Sequence, residues 1–388
     1  MKILILGSGL MGPAAAFNAM ADRAVTQVIL ADLSQPQLEA GVKQLAGKPG
    51  SHKLGVVRLD LSNQETATQL MANFDAIIAA LPREASVLAV QAALEAGKPL
   101  VDLTIPAEAS LPELRRLAET SAALVILGCG LEPGLTELLA RHLAEKLDRV
   151  DELHIKCGGI PVEPAPPLGY KIVFGGTQLP LREADAWVVE NGMLTKTARY
   201  SGVETVTFPG VGACEAFTES FMPWLLDLPV LHHLRAGTQK TVRWPGYAAK
   251  ATLLKELGLL SDTPIAVDGV QVRPKRLVDT LLYPHVKMNE GDQDLTVFRV
   301  EAIGELDGKP CRLQADMVDR YDTSQNFTSM ARTTAFTGSI VARMITRGEL
   351  TGRGLHHPER IITGPHFEQL LSELAILGIN FEMTSHWL

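Results

Sequence analysis

The feature that most constrains this chain is a short apolar run broken at once by glycines. Ile3-Leu4-Ile5-Leu6 is apolar at every position, and Gly7-Ser8-Gly9-Leu10-Met11-Gly12 and an Ala-rich stretch over 13–20 follow it. An unbroken apolar run of this length fits a strand covered on both faces, as inside a parallel sheet. A second such run, Val28-Ile29-Leu30-Ala31, ends in Asp32, twenty residues beyond Gly12. Each glycine has a mechanical task at a strand-to-helix turn. Gly7 permits the tight turn, Gly9 lets the backbone approach a pyrophosphate, and Gly12 lets helix and strand pack closely. The helix N-terminus offers unpaired N–H groups and a positive dipole end to phosphate oxygens. A carboxylate at Asp32 would accept hydrogen bonds from ribose hydroxyls and repel a 2′-phosphate, so the turn reads as a dinucleotide site favouring NAD over NADP.

The pattern then repeats. Val56-Val57-Arg58-Leu59 reads as a strand, followed by a helix opening on the capping box Ser62-Asn63-Gln64-Glu65. A strand over 76–80 leads to a helix from 85 to about 96 closed by Gly97, and further strands fall at 100–103 and 124–127. Strict alternation of this kind implies an α/β fold, a doubly wound (Rossmann) parallel sheet with right-handed crossovers. Ligands of such sheets bind outside the carboxyl ends of the strands. The expected cofactor contacts are therefore Gly7, Gly9, Leu10, Met11, Gly12 and Asp32, then Asp60 and Leu61 after the third strand. Ala80, Leu81 and Pro82 after the fourth and Asp102, Leu103 and Thr104 after the fifth complete the set.

Beyond Asp151 the character changes. Residues 152–157 read as a strand, 158–169 as a Gly/Pro-rich loop, and 193–196, 205–208, 240–244 and 295–300 as further strands of a second, mixed α/β catalytic domain. The expected division is 1–130 for the dinucleotide domain, 131–327 for the substrate and oligomerisation domain, and 328–388 for a helical return onto the first domain. The 388 residues carry 36 basic and 44 acidic side chains, a net charge of −8, with no basic cluster, which argues against nucleic acid. The four cysteines are far apart with no CxxC pair, and the adjacent pairs His232-His233 and His356-His357 cannot easily converge, so no metal is expected. No apolar run approaches the roughly 18 residues a membrane span needs. The apolar start reads as a strand rather than a signal peptide, because Gly7 interrupts it, and the expected location is cytoplasmic.

Several later residues suit amine chemistry. Pro133 reads as the first residue of a helix, with Glu132 at its positive end, either as a cap or as a carboxylate facing a substrate amine. Cys157 ends a strand at a double glycine, where it is a buried inert thiol or lines a ligand. Tyr170 and Lys171 follow a Pro-rich loop, and a desolvated lysine can act as a base. Arg243 can hold a carboxylate in a bidentate fork, and Arg332 is a second cation for which a structural ion pair is the competing reading.

These segments, Gly128-Cys129-Gly130-Leu131-Glu132-Pro133-Gly134, Cys157-Gly158-Gly159-Ile160-Pro161, Lys240-Thr241-Val242-Arg243-Trp244-Pro245-Gly246 and Met330-Ala331-Arg332-Thr333-Thr334, resemble the saccharopine dehydrogenase-like family, especially its NAD-dependent L-lysine 6-dehydrogenase branch. The resemblance implies oxidation of the ε-amino carbon of lysine to a semialdehyde that cyclises to a piperideine carboxylate. It implies Glu132, Cys157, Tyr170 and Lys171 as catalytic residues and Thr241, Arg243, Arg332 and Thr333 as substrate contacts. Saccharopine or carboxynorspermidine dehydrogenase is the alternative substrate assignment, although saccharopine reductases typically carry Asp where this chain has Glu132. A non-catalytic NAD-binding sensor is the alternative from another class. A homodimer or homotetramer is expected on general frequency.

Overall fold

In the computed structural model, which describes residues 1–388, the first apolar run is the central strand of a parallel sheet. Six strands, β1 (Lys2–Leu6), β2 (Gln27–Asp32), β3 (Leu54–Arg58), β4 (Ala76–Ala79), β5 (Leu100–Asp102) and β6 (Leu124–Leu127), lie in the order β6-β5-β4-β1-β2-β3 with every pairing parallel. The order reverses between β1 and β4, the position where such sheets open a crevice for ligands. The helices between them are α1 (Met11–Ala21), α2 (Gln35–Leu45), α3 (Gln64–Met71), α4 (Arg83–Ala96) and α5 (Leu111–Thr120). Burial of β1 and β4 on both faces explains their lack of alternation, and Ala14, Ala15, Ala16 and Ala19 of α1 are buried, so their small size allows close packing.

Two helix starts differ from the sequence reading. The side chain of Asn63, not Ser62, caps α3 by accepting from the Thr66 amide at 3.1 Å, while the Ser62 hydroxyl donates to Asp60 at 2.7 Å. The helix after β6, α6 (Leu135–Ala144), begins two residues beyond Pro133, which follows a cis peptide bond. The acid serving its first turn is the buried Glu137, whose carboxylate accepts from the Gly134 amide and the Thr136 hydroxyl, both at 2.6 Å. Glu132 is therefore not the cap of that helix.

The chain divides into two compact units, the first formed by Met1–Leu138, Asp322–Phe327 and Ala331–Ile379, the second by Leu139–Tyr321, Thr328–Met330 and Asn380–Leu388. The second unit holds β7 (Arg149–Pro161), β8 (Ala186–Glu190), β9 (Met193–Thr197), β10 (Glu204–Phe208), β11 (Gly212–Thr218), β12 (Ala236–Arg243), α7 (Tyr247–Glu256), β13 (Ile265–Val267), β14 (Val270–Val272), α8 (Pro274–Val286), β15 (Asp294–Leu306) and β16 (Lys309–Arg320). Only β12 and β7 pair in parallel in its large sheet; the other neighbours are antiparallel. β7 runs through the double glycine into Pro161 instead of ending at Cys157. A Cβ on Gly158 would meet the Val242 carbonyl oxygen at 2.1 Å, so glycine is what lets β7 and β12 lie this close. One face of this sheet meets an aromatic core of Tyr170, Tyr200, Phe217 and Tyr247. On the opposite face, Ile160, Val242 and Val297 share an apolar cluster, and Lys156 and Lys240 pair with Glu301 and Glu204.

The returning segment contributes to both units. A helical run with a π-helical middle, Arg332–Phe336, continues as Thr337–Thr346 in the first unit. There, β17 (Gly354–His356) pairs in parallel with β6 as a seventh strand. Three residues behind a glycine carry no readable period, and the sequence reading missed this strand. The return to the first unit stops at Ile379, because β18 (Glu382–Trp387) pairs with β16 and completes a nine-stranded sheet in the second unit.

Candidate functional site

The glycine turn of the first unit has the geometry a pyrophosphate needs. Gly7 has φ +94°, and a Cβ there would lie 2.3 Å from the Ala80 carbonyl oxygen. A Cβ on Gly12 would lie 1.9 Å from the Gly7 carbonyl oxygen, whereas one on Gly9 would meet nothing within 4 Å. Thus Gly7 and Gly12 serve the fold, and Gly9 keeps a space in front of the turn. No side chain caps α1, in contrast to α2 and α3, so its first amides are left to a ligand. Asp32 is held by two backbone donors, Ser8 at 2.7 Å and Ser34 at 2.8 Å, one on each carboxylate oxygen. These features fit a dinucleotide: open space at Gly9, unpaired amides on α1 and a fixed carboxylate at the end of β2.

The remaining cofactor candidates divide by environment. Leu10, Met11 and Leu81 are partly exposed and Pro82 is exposed, after the ends of β1 and β4. Asp60 is exposed and bonded to Ser62, and these hydrogen bonds hold its carboxyl below the usual range; Leu61 follows it. At the end of β5, Asp102 is fully buried, bonded to the Ser86 hydroxyl and to the Thr104 amide and hydroxyl. Burial pushes its carboxyl up to about 7, against the lowering effect of those hydrogen bonds. The Asp102 and Leu103 side chains therefore belong to the interior of the unit.

In the second unit, Arg243 is the unusual group. It is only 7% exposed, and no carboxylate lies within ion-pair distance of it. Its one direct hydrogen bond runs from Nη1 to the Val242 carbonyl at 2.8 Å, and Nε has no partner. The guanidinium carbon instead sits 4.6 Å from the Tyr170 ring centroid and 5.6 Å from that of Tyr247. Those rings meet edge-on at 5.6 Å, and Tyr247 stacks on Phe217 at 5.6 Å with 6° between planes. A buried cation without counter-charge is costly, and aromatic faces offset part of the cost. Such a site is prepared for an anion, and the planar fork of arginine matches a carboxylate.

Two residues absent from the sequence reading build this cage. Tyr247 forms one wall and opens α7. Glu215, the cross-strand partner of Arg243 in β11, engages the Gly246 and Ala248 amides at 2.7 and 2.6 Å, and so fixes the start of α7. A glycine and an aromatic residue four positions after an arginine were visible in the sequence; the acid on another strand left no local signal.

The other candidates lie as follows. Cys157 and Thr241 are buried register partners on β7 and β12, on the face that carries Arg243 two residues further on. Lys171 is held in an ion pair with Asp292 at 2.7 Å and donates to the Lys287 carbonyl at 3.2 Å. In the first unit, Glu132 is partly exposed, Arg332 pairs with Asp322 at 2.8 Å, and Thr333 is fully buried. The arrangement adopted by Arg332 is thus an ion pair internal to that unit. No three His, Cys, Asp or Glu side chains come together as a metal site.

Residues 3–127 match the family described as Saccharopine dehydrogenase NADP binding domain, and residues 130–379 match Saccharopine dehydrogenase C-terminal domain. The chain belongs to the saccharopine dehydrogenase family. It is 23% identical to the mitochondrial alpha-aminoadipic semialdehyde synthase of Bos taurus over 96% of its own length and 47% of that protein. The corresponding figures for the Mus musculus protein are 23%, 99% and 48%. The chain thus spans about half the length of these curated relatives. Its fold is shared with apo histidine-tagged saccharopine dehydrogenase (L-Glu forming) from Saccharomyces cerevisiae, with a TM-score of 0.81, 17% identity and 99% coverage of both chains. Within this family the glycine turn, Asp32 and the sheet around them form the nicotinamide dinucleotide-binding domain.

Proposed function

We propose that this chain is an NAD-dependent dehydrogenase of a CH–NH amino-acid donor that oxidises the ε-amino carbon of L-lysine. The observation that carries the reading is the Arg243 cage, a buried guanidinium with no counter-ion. It calls for one carboxylate, whereas the other candidate cations, Lys171 and Arg332, already have theirs in Asp292 and Asp322. One unpaired cation suits lysine, which has a single carboxylate, better than a substrate with several.

When bound, the dinucleotide supplies the hydride acceptor. The residues of this chain bind, orient and deprotonate. Asp32 accepts from the adenosine ribose hydroxyls, and its negative charge favours NAD over a 2′-phosphorylated cofactor. Arg243 holds the substrate carboxylate, so that the length of the lysine side chain presents its terminal carbon for oxidation. Loss of hydride requires a neutral amine, so a base must first take the ammonium proton. Lys171 is engaged as a cation by Asp292, which leaves Glu132 as the proton acceptor. Cys157 and Tyr170 line the substrate end, with the Tyr170 phenol kept protonated because burial raises its pKa. Water then converts the substrate imine to the semialdehyde and ammonium.

The test is the rise in absorbance of reduced cofactor when the protein meets lysine and NAD. Turnover with lysine supports the reading, and turnover with saccharopine alone overturns the substrate assignment. A secondary amine such as saccharopine is the second reading, favoured by family membership. Comparing both amines with both dinucleotides separates the two.

A further inference from the structure

We propose that the phenol of Tyr247 is the second donor to the substrate carboxylate, gripping it beside Arg243 and so selecting amines that carry a carboxylate. The inference rests on the reading of the Arg243 cage as the carboxylate site and adds a polar contact to what is otherwise a wall of that cage. Two polar atoms of the cage are buried without a hydrogen-bond partner, Nε of Arg243 and the hydroxyl oxygen of Tyr247. Orphaned buried groups of this kind are rare, because each gives up its water and receives nothing in return. Packing does not explain the hydroxyl. The Tyr247 ring stacks on Phe217, a contact that a phenylalanine at 247 would keep. Tyr200, in the same aromatic core, shows what a structural hydroxyl looks like: its oxygen accepts from the Arg182 amide at 2.7 Å and donates to the Arg182 carbonyl at 3.2 Å.

Tyr247 is nevertheless held firmly, since Glu215 accepts from the amides on either side of it, those of Gly246 and Ala248. A fixed donor with no acceptor in the fold is what a preorganised ligand contact requires. The two orphaned atoms define the chemistry of that ligand. Nε of an arginine can only donate. Burial raises the Tyr247 phenol far above its ordinary range, so it keeps its proton and donates as well. The charge of Arg243 acts on this phenol more strongly than that of any other group, and Glu219, an acid that also acts on it, is engaged by Arg182 and Arg199. Two donors beside a positive charge call for an anion with more than one acceptor oxygen, and a carboxylate supplies it.

Tyr247→Phe keeps the ring and removes only the hydroxyl. The probe is L-norleucine, which has the carboxylate and chain of lysine but no terminal amine to oxidise, titrated calorimetrically into the full chain with NAD present. Its dissociation constant should rise about tenfold in Tyr247→Phe, as expected for a lost hydrogen bond to a charged group. The preference for lysine over 1,5-diaminopentane in kcat/KM should fall by the same factor. The melting temperature should stay at or above that of wild type, because no contact of the fold is lost. A hydroxyl serving the fold alone would instead lower the melt and leave norleucine binding unmoved, which overturns the inference. Norleucine binding that is lost in Arg243→Met but unchanged in Tyr247→Phe overturns it too and leaves the cage reading standing. Norleucine bound as tightly by Arg243→Met as by wild type, or bound by neither, overturns both.

Discussion

Each of the two units carries a place prepared for an anion, and the two are built in opposite ways. The turn of the first unit uses backbone amides and a helix end, with no charged side chain, from one contiguous segment between Gly7 and Gly12. The cage of the second unit buries a full cation and takes its walls from Tyr170, from β11 and β12, and from the start of α7. Dipoles that are part of the main chain cost little when no ligand is bound, whereas an unpaired guanidinium costs the apo fold stability. The turn should therefore lose binding and fold together when Gly7 or Gly12 changes, and the cage should trade stability against binding.

The largest effect is expected at Gly12. In Gly12→Ala the new Cβ meets the Gly7 carbonyl at 1.9 Å, so the backbone must move. Dinucleotide binding should disappear from a calorimetric titration, and the urea midpoint should fall by the equivalent of about 3 kcal/mol, in the range of overpacking a close contact. The next effect concerns pH. The carboxyl of Asp102 is raised to about 7, so the fold prefers its protonated form. Its contribution is most favourable below the unfolded value near 4 and is lost as pH rises through about 7. Asp102→Asn should thus be more stable than wild type at pH 8, by up to about 3 kcal/mol, and the two should converge near pH 4 in urea titrations. Gly9→Ala should separate binding from folding. Nothing in the protein opposes its Cβ, so the melting temperature should hold while the NAD dissociation constant rises about tenfold, a displacement worth ~1.4 kcal/mol. The smallest change is expected for Asp32→Ala, which removes the carboxylate but leaves Arg58 beside it in β3. Its preference for NAD over NADP should shrink several-fold in paired titrations.

What could be read from the sequence follows the same division. The glycine turn, Asp32 and the strand-helix alternation were legible because each is a local pattern with a local mechanical cause. Where the cause was a competition between neighbours, the reading slipped by one to five residues. Asn63 rather than Ser62 caps α3 because Asp60 engages the serine hydroxyl, and Glu137 rather than Glu132 serves the first turn of α6. In the second unit Arg243 was recognisable as a carboxylate binder, but its missing counter-ion was not, since that depends on Glu215 engaging α7 instead. Such facts are set by the register of β11 on β12 across 28 residues of sequence, and no spacing rule encodes them. The short β17 belongs to the same class.

The central claim is that the Arg243 cage binds the carboxylate of the amine substrate. It is tested most directly by comparing kcat/KM for lysine and for 1,5-diaminopentane, the same molecule without its carboxylate, in wild-type protein and in Arg243→Met. Wild type should prefer lysine by 30-fold or more, roughly 2 kcal/mol for a buried charge-assisted pair. Arg243→Met should show no preference, with unchanged NAD affinity and a melting temperature equal to or above wild type. A variant that still prefers lysine as strongly as wild type would contradict the account.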